Sequence, residues 1–301
     1  MKAYVVLNPV AGDNARELVL DALKTYFDDA GIDYEVYETA EEDKPGDIVR
    51  DRLENGKFDF VVAAGGDGTV SQVINGLIDS GLPLGIIPVG TGNMLARSLD
   101  LPLKIDKAVA LISGPHVLKK IDAMRINNRI CVLNASLGIS AKVMRDTKSE
   151  SKNRFGLLAY IWEALGKLFK IKRSYITINI DGKTTKHHAI EATVFNSGII
   201  AETLYPKGPD IRIDDGHLDV LIISFKTIRD YPLYILRMIT KKTSKNLTDF
   251  IEANKSVMIE STVSMPLQVD GEIFGTTPVE IEVLPSAITV IVSEKSIKKE
   301  K

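Results

Sequence analysis

The chain has 301 residues, 45% of them hydrophobic and 26% charged, and its formal net charge is -2. That composition excludes disordered, collagen-like and low-complexity architectures, and the charge gives no global positive field, so no nucleic-acid partner is expected. A length of 301 residues exceeds what one hydrophobic core commonly serves, which argues for two domains. A single cysteine, Cys131, can form no intrachain disulfide, and the 4 His residues show no zinc-site spacing. The apolar run at residues 3–7 is shorter than the roughly 7–15 residues of a signal-peptide core, and no run reaches the ~18 residues of a spanning helix. A cytoplasmic protein is expected.

In chain order, residues 4–7 read as a strand closed by Asn8-Pro9. Helical spacing of Leu18, Ala22, Leu23 and Phe27 predicts a helix over 15–30, stopped by Gly31. A strand at 34–37, a helix at 47–55 and an apolar strand at 58–64 follow, the last ending in Gly65-Gly66. A helix over 69–77, a strand over 84–89 and a short helix opened by Gly90-Thr91-Gly92 complete this part. Continuous apolar strands alternating with helices predict a doubly wound parallel α/β sheet covered on both faces. Beyond about residue 121 strand-like runs dominate, at 129–137, 175–180, 189–196, 217–224, 256–260, 267–270, 279–283 and 288–292. Asp181-Gly182, Asp215-Gly216 and Asp270-Gly271 are turn signals between them, and helical patterns at 155–170 and 227–240 interrupt. A mostly antiparallel β domain is therefore expected to follow the α/β domain.

The strongest local signal is Gly65-Gly66-Asp67-Gly68-Thr69, where an apolar strand gives way to a helix. Glycines let backbone approach a ligand, and the helix start offers unpaired N–H groups and a positive dipole end to an anion. An aspartate there would repel bare phosphate, so its use is contact with a phosphate-bound cation or its hydration shell. The competing role for Asp67 is that of a helix cap. Two more small-residue loops, Asn8-Pro9-Val10-Ala11-Gly12 and Gly90-Thr91-Gly92-Asn93, follow other strands of the same predicted sheet. The carboxyl ends of parallel strands share one edge, where ligands bind, so three such loops can surround one polyphosphate. A Gly-x-Gly-x-x-Gly after a strand, a complete P-loop, His-Glu-x-x-His and Gly-x-Ser-x-Gly are all missing.

These motifs, with Ile87-Pro88-Val89 leading into the Gly90 loop, resemble the diacylglycerol kinase catalytic-domain family, and more closely its soluble bacterial lipid kinases related to diacylglycerol and sphingosine kinases. The similarity continues at Ile121-Asp122, Asn196, Asp215-Gly216-x-Leu218-Asp219-Val220 and Val269-Asp270-Gly271-Glu272, spanning nearly the whole chain. The resemblance implies an ATP-binding α/β domain over 1–124, with 285–301 a candidate to return to it, and a lipid-substrate β-sandwich domain over 125–284. Catalysis would lie in the cleft between them. It further implies that Asn8, Pro9, Val10, Ala11, Gly12, Thr39, Gly65, Gly66, Asp67, Gly68, Thr69, Val70, Ser71 and Thr91 line the ATP site. Asp67 would help to position Mg-ATP, Asp122 would join an interdomain polar network, and Glu272 would be the general base. A second, structural magnesium would be held by the Arg212 and His217 carbonyls and the Asp215 carboxylate. From the residues alone, Asp270-Gly271-Glu272 and Asp214-Asp215-Gly216 are equally turns, and Asp122 a strand cap. In one respect the chain departs from the family: a Gly-Gly pair usual after Asn196 is replaced by Ser197-Gly198-Ile199-Ile200-Ala201-Glu202.

The implied activity is phosphorylation of a lipid hydroxyl by ATP, with diacylglycerol as the first-choice acceptor and phosphatidylglycerol or a sphingoid base as alternatives. NAD kinase, which shares Gly-Gly-Asp-Gly, and a catalytically silent lipid- or nucleotide-binding module are the rivals. Residues 142–173 carry about nine basic against three acidic side chains. Within them Leu158, Ile161, Trp162, Leu165 and Phe169 fall at helical spacing, which fits either peripheral contact with an anionic membrane or packing on the β domain. Oligomeric state is not legible.

Overall fold

The computed structural model describes residues 1–12, 14–138, 140–141, 174–204, 208–224, 230 and 248–298. The helix expected at 155–170, that at 227–240 apart from Asp230, and the basic segment 142–173 lie outside the described residues. The chain divides into two compact units, one of residues 1–123 with 285–301 and one of residues 124–284.

In the first unit β1 (Lys2–Leu7), β2 (Asp33–Glu38), β3 (Phe60–Gly65), β4 (Leu84–Pro88) and the last part of β15 (Val279–Val292) form a parallel sheet in the order β2-β1-β3-β4-β15. Between them run α1 (Ala15–Asp29), α2 (Pro45–Asn55), α3 (Asp67–Leu77), α4 (Met94–Ser98) and α5 (Ile105–Ser113). The chain moves outward from β1 to β2, then back across β1 to β3 and on to β4. With right-handed crossovers this places α1 on one face and α2 and α3 on the other, and the order reverses between β1 and β3. Val19, Leu23 and Phe27 of α1 and Val109 and Ile112 of α5 pack with Val5, Val62 and Ile87 in one core. Strand alternation turns Tyr4, Val6, Val61, Ala63 and Ile86 the other way, and they too are buried. Both faces are thus covered, which is why these strands read as unbroken apolar runs.

The second unit holds β6 (Arg129–Cys131), β7 (Asn134–Gly138), β8 (Ser174–Ile180), β9 (Lys183–Phe195), α6 (Gly198–Leu204), β10 (Leu218–Ser224), β11 (Thr248–Ala253), β12 (Ser256–Ser261), β13 (Pro266–Val269) and β14 (Glu272–Thr276). β5 (Val117–Ile126) and β15 run from one unit into the other, and α7 (Glu294–Lys298) follows β15. Every pairing of β8, β9, β10, β12 and β13 is antiparallel. The long β9 pairs with β8 through residues 183–189 and with β7 through residues 191–195, so one strand serves both sheets of the sandwich. Ile176, Ile178, Val257, Ile259 and Ile281 meet Leu137, Val194, Val220, Leu267 and Val269 in its core.

Several elements differ from the sequence expectation. The run at 129–137 is two strands, because residues 132–133 leave the ladder to bond Asp270. The runs at 279–283 and 288–292 are one strand that continues through Ser286, whose φ of 51° marks a local kink rather than a turn. Helices α5 and α7 and strands β5, β11 and β14 lie outside the sequence expectation, and α6 begins where the family's Gly-Gly pair is missing.

Helices α2 and α3 touch through glycines. A Cβ on Gly76 would lie 2.2 Å from the Gly46 carbonyl oxygen and 2.7 Å from Val49 Cβ. Ala is the better helix former by ~1 kcal/mol, yet overpacking a tight contact costs about 1–3 kcal/mol. Gly76→Ala should therefore destabilise the protein, read as a lower midpoint in urea unfolding with unchanged slope.

Candidate functional site

The three small-residue loops after β1, β3 and β4 are interlocked through backbone. Asn8 N–H donates to the Ala64 carbonyl (2.9 Å) and Val89 N–H to the Gly65 carbonyl (3.0 Å), carrying the ladder into the loops. Asn8 Nδ2 donates to Thr69 Oγ1 (3.2 Å), while Asn8 Oδ1 accepts from Val10 N–H (3.1 Å). Thr39 N–H donates to the Leu7 carbonyl (2.8 Å), which brings the end of β2 beside the first loop. A Cβ on Gly90 would lie 2.6 Å from Gly66 Cα, and one on Gly65 would collide with Thr69 at 2.5 Å. Only glycine fits at Gly65 and Gly90.

Asp67 is the first residue of α3 and not its cap, since Gly66 occupies that position and no side chain caps the helix. Its Oδ1 accepts from Met94 N–H at 2.6 Å, so the carboxylate ties α3 to the start of α4. Its Oδ2 would be 2.7 Å from a Cβ on Gly92, and so faces a glycine. Asn93, at φ 48°, closes the third loop by donating from Nδ2 to the Gly90 carbonyl (2.6 Å). Ser71 on the first turns of α3 is 5% exposed, and its Oγ has no hydrogen-bond partner. Val70 is buried as well, whereas Val10 and Thr91 are exposed. A groove of about 490 Å³ opens beside the loops, lined by Gly12, Ala15, Val89, Gly90, Asn93 and Lys104.

Asp122 lies apart from these loops in role. It is 1% exposed and accepts from Ser286 N–H through Oδ1 at 2.6 Å, holding the kink of β15. In the second unit Arg212 pairs with Asp214 (3.2 Å), and Asp215 Oδ1 lies 3.3 Å from both the backbone N–H and the ring Nδ1 of His217. His217 Nε2 approaches Asp219 at 4.0 Å. Burial pushes the Asp219 carboxyl up to about 6, His217 opposes the shift, and Asp215 and Glu252 add to it. Among the described residues no group of three or more His, Cys, Asp or Glu side chains is arranged to hold a metal ion, so backbone oxygens would have to complete any site at Asp215.

Glu272 is the first residue of β14, just past a tight turn with Asp270 at φ 45° and Gly271 at φ 90°. The Asp270 carboxylate fixes that turn, accepting from Val132 N–H (3.1 Å), Leu133 N–H (3.1 Å) and Asn134 N–H (3.0 Å). Burial raises the Asp270 pKa against the pull of these three donors and of Arg129. Arg129 donates to Glu272 Oε2 at 2.8 Å. Sequence reading missed both roles: Asp270 reads as a turn residue, and Arg129 meets Glu272 across 143 residues with no local signal.

Residues 2–126 match the model of the diacylglycerol kinase catalytic domain, and residues 134–292 match that of the YegS C-terminal NAD kinase beta sandwich-like domain. An uncharacterized protein of Synechocystis sp. is 31% identical, over 95% of this chain and 69% of its own. A diacylglycerol kinase of Staphylococcus haemolyticus is 29% identical, over 92% of this chain and 83% of its own. A crystal structure described as a diacylglycerol kinase from Bacillus anthracis superposes with a TM-score of 0.74 at 25% identity, covering 98% of each chain.

Asp270→Ala would leave three backbone donors without an acceptor. Each unsatisfied buried group costs about 1–3 kcal/mol, so a loss of roughly 3 kcal/mol in chemical denaturation is expected. Glu272→Gln, at a half-exposed side chain, should change stability by less than about 0.5 kcal/mol in the same measurement.

Proposed function

The chain belongs to the diacylglycerol kinase catalytic-domain family and is a lipid kinase, and we propose that it transfers the γ-phosphoryl group of ATP to the free hydroxyl of diacylglycerol, forming phosphatidic acid. The observation that carries the nucleotide part is the backbone contact of Gly66 with Gly90 beside the uncapped start of α3. N–H groups of a helix start and of flanking glycine loops bind phosphate without a cationic side chain. The unpartnered Ser71 Oγ supports a polar ligand there. Asn8 to Gly12, Thr39, Gly65 to Ser71 and Thr91 form the nucleotide-binding set in this reading. The buried Val70 side chain serves by packing, and its backbone by position.

The family implies a divalent metal with the nucleotide, and we assign magnesium. Asp67 fits it: one carboxylate oxygen is engaged by Met94 N–H and Oδ2 has no hydrogen-bond partner among the described residues. Magnesium bound with ATP neutralises charge on the phosphate oxygens. Asp67 orients that complex, directly or through a water. Glu272 takes the proton of the lipid hydroxyl as its oxygen bonds the γ-phosphorus and the bond to the departing ADP breaks. Asp122 supports β15 by accepting from Ser286 N–H. For a structural ion, Asp215 with the Arg212 and His217 carbonyls is the proposed holder.

Diacylglycerol is favoured over phosphatidylglycerol and sphingoid bases because named relatives are diacylglycerol kinases. Among the described residues no helix is long and apolar enough to cross a membrane. We place access to the lipid at the cytoplasmic face of a membrane, with the nine basic side chains of residues 142–173 drawn to anionic headgroups. Incubation with γ-labelled ATP and a mixed lipid extract should yield label co-migrating with phosphatidic acid. Label in another lipid would replace the acceptor, and label in no lipid would overturn the reading. Glu272→Gln should lower turnover by about 10²–10⁴-fold, and Asp67→Asn, which keeps an acceptor for Met94, should do so with little change in Tm.

A further inference from the structure

Four Arg–Glu pairs can be compared among the described residues. Arg16 reaches Glu38 through two nitrogens, both at 2.8 Å, and Arg52 reaches Glu35 through two nitrogens at 2.7 and 2.6 Å. In both, the two carboxylate oxygens are each taken, as in a clamp that only holds. Two pairs differ, each using one nitrogen and one oxygen at 2.8 Å: Arg125 with Glu282, where both side chains are exposed, and Arg129 with Glu272 Oε2, where the arginine is largely buried and Oε1 has no partner among the described residues.

The guanidinium is also the fixed member of its pair. The Arg129 side chain is 19% exposed and that of Glu272 is 45% exposed. Its Cζ lies 5.2 Å from the centre of the Phe274 ring, and Asp270, on the turn before Glu272, attracts it electrostatically. Glu272 and Phe274 are two residues apart on β14 and share one face of the strand, so the planar guanidinium spans both. Phe274 in turn packs against the core of the second unit. The carboxylate is therefore held through one oxygen by a cation that is itself anchored at two points.

We propose that Arg129 is the positioning residue of the reaction: it fixes the Glu272 side chain by Oε2 and leaves Oε1 directed to the proton of the acceptor hydroxyl. This rests on Glu272 being the base. A half-exposed glutamate samples several rotamers, and a base displaced by about 1 Å can lose on the order of 10²-fold in rate. Arg129 removes that freedom without occupying the oxygen that does the work. Its hydrogen bond is to Glu272.

The test is a double-mutant cycle on turnover, using wild type, Arg129→Met, Glu272→Gln and the double variant, with folding of each verified by thermal unfolding. Arg129→Met should lower kcat by about 10–100-fold and leave KM for ATP and for lipid within about threefold. Arg129→Lys, which keeps a cation at reach, should recover most of that loss. In the Glu272→Gln background Arg129→Met should produce no further fall in kcat, because the residue it positions is gone. Equal fractional losses in both backgrounds, or a loss confined to KM, would overturn the proposal while leaving Glu272 as the base. If Glu272→Gln itself retains wild-type turnover, the base assignment fails and the proposal falls with it. An Arg129→Met enzyme that is folded and fully active would overturn the positioning role alone.

Discussion

The contact between the backbones of Gly66 and Gly90 is the constraint from which the rest of the nucleotide region follows. Two strand-to-helix loops can approach this closely only if Gly90 carries no Cβ, since one there would lie 2.6 Å from Gly66 Cα. Once they touch, the Asp67 carboxylate comes within reach of Met94 N–H, and the third loop is closed by Asn93 onto Gly90. Asn8, bonded to Thr69, adds the first loop to the pair. The resulting edge is built from main chain rather than from long cationic side chains, which suits a polyphosphate that arrives with its own metal ion.

The second unit solves a different problem, that of placing one carboxylate. A hairpin end is mobile unless something ties it down, and here Asp270 spends its carboxylate on three consecutive N–H groups of the 132–134 connection. That tie explains why the apolar run at 129–137 breaks into two strands. It also places Glu272 at a defined point on β14, where Arg129 restrains it further. Buried aspartate, turn glycine, arginine and aromatic ring act in series, each limiting the freedom of the next.

Much of this was legible in the sequence, and the reasons for the rest are physical. The parallel α/β sheet showed itself because strands buried on both faces are apolar throughout, and Gly65-Gly66-Asp67-Gly68-Thr69 because three glycines at a strand end have few other uses. The kink at Ser286 reads as a break, since Leu284-Pro285-Ser286-Ala287 has turn composition and the Asp122 acceptor that keeps the strand intact lies 164 residues away. The roles of Asp270 and Arg129 could not be read locally, because their partners lie 136 to 143 residues distant along the chain. Glu272 itself was found only through resemblance to a family, its local context being that of any hairpin.

The most direct measurement is calorimetric titration of ATP with magnesium into the wild-type protein and into Gly90→Ala, with thermal unfolding as the control for folding. The account predicts saturable one-site binding to wild type and at least about tenfold weaker binding to a folded Gly90→Ala, a change of ~1.4 kcal/mol or more, because the added methyl forces the two loops apart. Equal affinity of the two proteins would contradict it, since the phosphates could not then depend on the Gly66–Gly90 contact.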